Sequence, residues 1–177
     1  MIFQETQLAG VYIIEPEKFE DERGFFAMSW SSDSFREHGL NPRLSQCNIS
    51  FNHDRGTIRG MHFQNRPYEE AKMVRCTRGA IYDVAIDLRS DSPTRYHWVA
   101  VELNYENRRV LYIPEGFAHG YQTLTDDTEI FYQISEYYHP EVAGGVRWDD
   151  PVFGIEWPLP VTLINERDRT YPLISGR

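Results

Sequence analysis

The sequence predicts an all-β sandwich or barrel, on three observations. Aromatic residues make up 14% of the chain, a composition that favours strands over helices. Gly, Pro, Asn and Asp recur at short spacing and cut the chain into strand-sized pieces. At 177 residues the chain can bury a real core but is short for two domains, so one domain over 1–177 is expected.

The elements follow from this punctuation. A strand is expected at Val11–Glu15, between Gly10 and Pro16, and another at Gly24–Ser29. A short helix follows at Asp33–His38. Ser31 or Ser32 can cap it, Ser34 and Glu37 have capping-box spacing, and Gly39 can close it. Leu44–Phe51 begins after Asn41-Pro42, Thr57–Gln64 after Gly56, and Lys72–Arg78 and Ala80–Leu88 flank Gly79. Trp98–Leu103, Val110–Ile113, Phe117–Leu124 and Glu129–Glu136 complete the set, and from Pro151 the chain reads as a tail packed on the barrel.

Alternation assigns faces. Gln46, Asn48 and Ser50 share one side of their strand, opposite Cys47, Ile49 and Phe51. If the apolar set meets a second sheet, the polar row lines a mouth or a ligand cavity. Tyr132 shares a face with Ile130 and Ile134 and should point inward. Arg59 and His62 have opposite parity, so they can serve one cavity only if the strand bulges, and Gly60 is the natural place.

Charge narrows the function. Acids outnumber bases 27 to 18, for a net charge of −9, which argues against a surface built for nucleic acid or an anionic membrane. No apolar run approaches the roughly 18 residues of a membrane span, and the N-terminus lacks a basic start and apolar h-region. A cytoplasmic protein is expected. Cys47 and Cys76 are too few for a disulfide scaffold or a zinc ribbon. The bases are nearly all arginine, which suits bidentate grip on phosphate; the lysines are Lys18 and Lys72 alone.

The segment Arg55–Arg78 is a basic island, with six arginines and lysines against Glu69 and Glu70. Such an island concentrates one anionic ligand without attracting polyanions in general. Within it, His62 sits between Met61 and Phe63, where a histidine taken alone is more often a satisfied core residue than a catalyst. Lys72 precedes Met73-Val74, and a strand lysine either faces outward or is held for a purpose, since an unpaired buried ammonium is costly. His119 closes a Pro-x-Gly-x-x-His stretch similar to the second half of the cupin signature, in which a turn feeds a histidine into a barrel.

A metal cupin would need three histidines and a carboxylate, with a His-x-His pair in the first motif. Here His62 stands alone, with Gly60 and Gln64 two residues to either side, so no metal is expected. The nucleophile-elbow, dinucleotide-binding and P-loop patterns are also missing. What remains is a histidine, a lysine, an inward tyrosine and several arginines. That set suits proton abstraction beside a carbonyl in a phosphate-bearing substrate.

The runs Arg59-Gly60-Met61-His62-Phe63-Gln64, Ala71-Lys72 and Gly116-Phe117-Ala118-His119-Gly120 resemble the dTDP-4-dehydrorhamnose 3,5-epimerase family. Asp21–Phe26, Gln46–Ser50, Asp83–Arg89 and Trp148–Pro151 extend the resemblance essentially from end to end. It implies a cupin-like jelly-roll barrel, a homodimer, no cofactor, and a nucleotide-linked 4-keto-6-deoxy hexose as substrate. By position, His62 would be the general base, Asp168 its orienting carboxylate, Lys72 the counter-charge for an enolate at O4, and Tyr132 the proton donor on the opposite face. Arg23, Gln46, Asn48, Arg59, His119 and Arg167 would bind the nucleotide diphosphate and sugar, with Arg23 reaching across from a partner subunit. Met28 and Ala143 stand where the family usually has acidic residues, and Arg167 where lysine is commoner. These departures leave open the nucleotide, a C3-only reaction, and a non-catalytic sugar-nucleotide binding module.

Overall fold

The computed structural model describes residues 1–174. Fourteen strands run in chain order: β1 Ile2–Glu5, β2 Tyr12–Glu15, β3 Lys18–Asp21, β4 Gly24–Ala27, β5 Gln46–Asn52, β6 Thr57–Gln64, β7 Lys72–Arg78, β8 Ala80–Asp87, β9 Trp98–Asn104, β10 Val110–Ile113, β11 Phe117–Thr123, β12 Thr128–Ile134, β13 Ala143–Gly145 and β14 Leu163–Ile164. Two short helices, α1 Ser32–Glu37 and α2 Glu166–Arg169, complete the set. One sheet has the order β1-β2-β10-β7-β12-β5, and the other β13-β6-β11-β8-β9 with β14 added beside β6. β3 and β4 form a separate hairpin.

The core lies between the two larger sheets. Val74, Leu111, Ile113 and Ile130 of the first meet Ile81, Ala85, Leu103 and Tyr121 of the second. Outside the first sheet, Phe35 of α1 is fully buried against Tyr112 and Phe3, with ring centroids 5.7 Å apart in both pairs. Ser31 caps α1 by accepting from the Ser34 amide at 3.4 Å, and Gly39 closes it at φ +70°. Outside the second sheet, Phe153 and Val146 of the C-terminal segment bury against Met61, Val84 and Ile86.

Two features set up the cavity. On β6 the register to β11 passes from His62↔His119 to Arg59↔Tyr121, so β6 carries an extra residue at Gly60-Met61. The bulge expected from parity is present. Gly60 has φ +120°, and a Cβ there would lie 2.5 Å from the Gly120 Cα; a Cβ on Gly120 would lie 2.7 Å from the Arg59 carbonyl. Two glycines therefore let β6 and β11 cross at backbone contact.

The second feature is β5, whose polar row lines the cavity as expected while its apolar row does not meet a second sheet. Ile49 is 67% exposed, and Cys47 and Phe51 are also exposed, because β5 is the edge of its sheet with no layer outside it.

Candidate active site

Between the sheets lies a cavity of about 510 Å³. β5 lines it with Gln46, Asn48 and Ser50, β6 with Arg59 and His62, β7 with Lys72, β11 with His119 and Tyr121, and β12 with Tyr132. Arg167 reaches it from α2. All of these but Tyr121 were singled out in the sequence, and Asp168 joins them through His62. Arg23 does not: it sits at the exposed turn of the β3–β4 hairpin, paired with Asp21.

His62 Nε2 lies 2.7 Å from Asp168 Oδ1. Asp168 is fully buried, and its Oδ2 accepts the Gly60 amide at 2.9 Å. The Asn165 side chain, capping α2, accepts the Asp168 amide at 2.7 Å. A four-residue helix at the end of the chain thus serves to hold one carboxylate against one imidazole. The carboxylate selects the tautomer with the proton on Nε2, which leaves the lone pair on Nδ1.

A second such pair joins β11 to β8, where His119 Nε2 is 2.8 Å from Asp83 Oδ1, and His119 stands opposite His62 in the β6–β11 register. Burial pushes the Asp83 carboxyl above its usual range, opposed by His119 and Lys72.

Lys72 is 8% exposed and is not an outward-facing lysine. Its Nζ lies 3.0 Å from Glu70 Oε1 and donates to the His62 carbonyl at 3.5 Å. Tyr132 meets the His119 ring edge-on, with centroids 6.1 Å apart. Burial pushes its phenol well above the ordinary value; Tyr121 and Asp83 push the same way and Arg59 opposes them. The Tyr121 hydroxyl bonds Ser50 at 3.0 Å and the Asn52 amide at 3.2 Å, while Arg59 Nε donates to Asn52 Oδ1 at 2.7 Å. A polar chain therefore runs from the Tyr121 hydroxyl through Asn52 to the Arg59 guanidinium.

Several lining residues escaped sequence reasoning. Glu70 counted there only as a charge in the basic island; it lies in the loop two residues before β7 and lines the cavity with Lys72. Tyr121 and Tyr138 also line the cavity, and the Tyr138 hydroxyl helps raise the pKa of the Arg167 guanidinium. Of the two positions where the family usually has an acidic residue, Ala143 lines this cavity, and Met28 lines a separate pocket of about 290 Å³ beside Arg75.

An imidazole on a carboxylate, a buried ammonium and a protonated phenol around one cavity are parts for proton transfer at carbon. Set in a two-sheet antiparallel barrel, they define an isomerase of cupin-like architecture. The family model of dTDP-4-dehydrorhamnose 3,5-epimerase matches residues 5–175, and the chain belongs to that family. It is 47% identical over 172 residues to the dTDP-4-dehydrorhamnose 3,5-epimerase of Methanothermobacter thermautotrophicus, covering 96% of this chain and 92% of that protein. The crystal structure of the Elizabethkingia anophelis enzyme of the same name superposes with a TM-score of 0.96 at 37% identity, over 100% of this chain and 98% of that one. The Bacillus anthracis enzyme, solved with TDP and PPi bound, superposes at 0.93 with 39% identity, covering 98% and 99%.

Proposed function

We infer that this chain is a single epimerase domain that inverts C3 and C5 of dTDP-4-dehydro-6-deoxyglucose in deoxysugar biosynthesis. The observation that carries this reading is His62 seated on Asp168 in the cavity that Lys72 and Tyr132 also line. The C4 ketone acidifies both neighbouring carbons. His62 removes a proton, Lys72 stabilises the enolate charge on O4, and Tyr132 returns a proton from the opposite face. Burial favours the protonated phenol, so Tyr132 meets the enolate as an acid.

Gln46, Asn48, Arg59, His119 and Arg167 hold the sugar and diphosphate, a reading supported by their place around the cavity and by the TDP in the Bacillus anthracis relative. The reaction needs no cofactor. The protein works in the cytoplasm, and no helix among the described residues is long and apolar enough to cross a membrane.

It acts as a homodimer. Support comes from the open edge of β5 with its apolar outer row and from the β3–β4 hairpin, where Phe19 and Phe26 are exposed beside Arg23. Arg23 then completes the partner's cavity.

The decisive experiment is incubation of the protein in D₂O with dTDP-4-dehydro-6-deoxyglucose. Deuterium should appear at C3 and C5. Label at C3 alone makes it a C3 epimerase, label only with a cytidine- or guanosine-linked substrate reassigns the nucleotide, and tight binding without any label makes it a binding module.

A further inference from the structure

Glu70 occupies the cavity without a role in the proton-transfer scheme above. Its carboxylate and the Lys72 ammonium are equally buried, each side chain 10% exposed, and Lys72 is the one ion-pair partner of Glu70 among the described residues. The separation of 3.0 Å places full charge against full charge in a site largely screened from water. From another side the ammonium donates to the His62 carbonyl at 3.5 Å. A lysine side chain has four rotatable carbons, and these two contacts hold its end in one place.

We propose that Glu70 is a positioning residue: it holds the Lys72 ammonium, charged and aimed, at the point where the substrate's carbonyl oxygen takes on enolate charge. The inference rests on the epimerase reading. Its physical basis is differential binding. Against the neutral ketone of bound substrate, the ammonium is balanced by Glu70. As negative charge grows on O4, the same ammonium gains a second anion without having to move, so the gain belongs to the transition state. Without Glu70 the long side chain is free to swing. A reacting group displaced by about 1 Å can cost about 100-fold.

Deuterium incorporation at C3 measures this directly, alongside dTDP affinity as a gauge of an intact cavity. Glu70→Ala should lower kcat by about 10–100-fold while dTDP affinity stays within about three-fold. Glu70→Gln keeps an oxygen facing the ammonium and should recover kcat to within about five-fold of wild type. In a Lys72→Met background neither Glu70 change should cost anything further, whereas a merely structural role would repeat the same loss there. If Glu70→Ala fails to bind dTDP, Glu70→Gln carries the cycle, with a few-fold loss that disappears in Lys72→Met.

Wild-type kcat in Glu70→Ala, faster turnover, or a loss repeated in the Lys72→Met background overturns the inference. An active wild type with undiminished Glu70 variants overturns it alone; a wild type that exchanges no hydrogen overturns the epimerase reading with it.

Discussion

Asp168 accepts two hydrogen bonds that make different demands, one from His62 and one from the Gly60 amide. An asparagine can satisfy only one of them as an acceptor. If its oxygen keeps the Gly60 N–H, its amide nitrogen faces His62 Nε2 and forces the proton onto Nδ1, removing the lone pair that the proposed abstraction uses. Asp168→Asn should therefore slow deuterium exchange by roughly 10²–10³-fold. His62→Ala removes the proposed base itself and should abolish exchange, with dTDP affinity within a few fold in both variants. Unimpaired exchange in His62→Ala would remove this residue from the mechanism. In the proposed scheme Tyr132 acts after abstraction. Tyr132→Phe should leave wash-out of substrate hydrogen in D₂O running while net epimer formation falls by roughly 10²–10⁴-fold. If Tyr132 serves only the core, the ratio of wash-out to epimer stays at its wild-type value, and NMR on one sample reads both quantities.

The β6–β11 crossing is what puts Arg59 and His62 into one cavity, and it depends on two glycines. Gly60→Ala combines a positive φ with a Cβ placed 2.5 Å from the Gly120 Cα, backbone that cannot give way. It should cost at least about 2–3 kcal/mol in denaturant unfolding and should also suppress exchange, because the bulge flattens or the strands part. Gly39→Ala is the control: φ is +70° but nothing lies near its Cβ, so about 1 kcal/mol is lost and exchange is untouched. The bulge was legible in the sequence as a parity conflict with a glycine inside it, and β6 and β7 begin and end where the punctuation places them. Other elements carry too little signal. β1 is four residues at the chain start, β3 is a charged strand with every residue exposed, β13 is Ala-Gly-Gly, and β14 is two residues paired in parallel to β6. What covers the outer row of β5 stayed open for a physical reason: alternation shows which residues share a face, but not what lies beyond it. Within the site, His62, Lys72 and Tyr132 were legible because each is a polar group in an apolar strand. Glu70 was not, since an acid beside a second acid in a loop looks like any solvated surface.

The cavity around His62 leaves Arg23 outside it. Arg23 lies on a hairpin whose Phe26 is 75% exposed, and the open edge of β5 shows Ile49 and Phe51 to the outside. An acidic chain of net charge −9 resists casual association, so the exposed apolar edge of β5 and the exposed phenylalanines of the arginine-tipped hairpin support the proposed partner, a second copy of the chain. In the proposed dimer each cavity takes His62 from one subunit and Arg23 from the other. Complementation tests this arrangement. Arg23→Ala and His62→Ala homodimers should each be severely impaired, the first through weakened diphosphate binding and a raised KM, the second through loss of the base. When the two are unfolded, mixed in equal amounts and refolded, half of the dimers should be hybrid. One cavity of each hybrid then contains the intact His62 of the Arg23→Ala subunit and the intact Arg23 of its partner, so activity should return to roughly a quarter of wild type. An Arg23 that served its own chain's cavity would give hybrids with no intact site, and the mixture would stay as inactive as its parents. Recovery on mixing, against none when the parents are refolded apart, distinguishes a shared site from two independent ones.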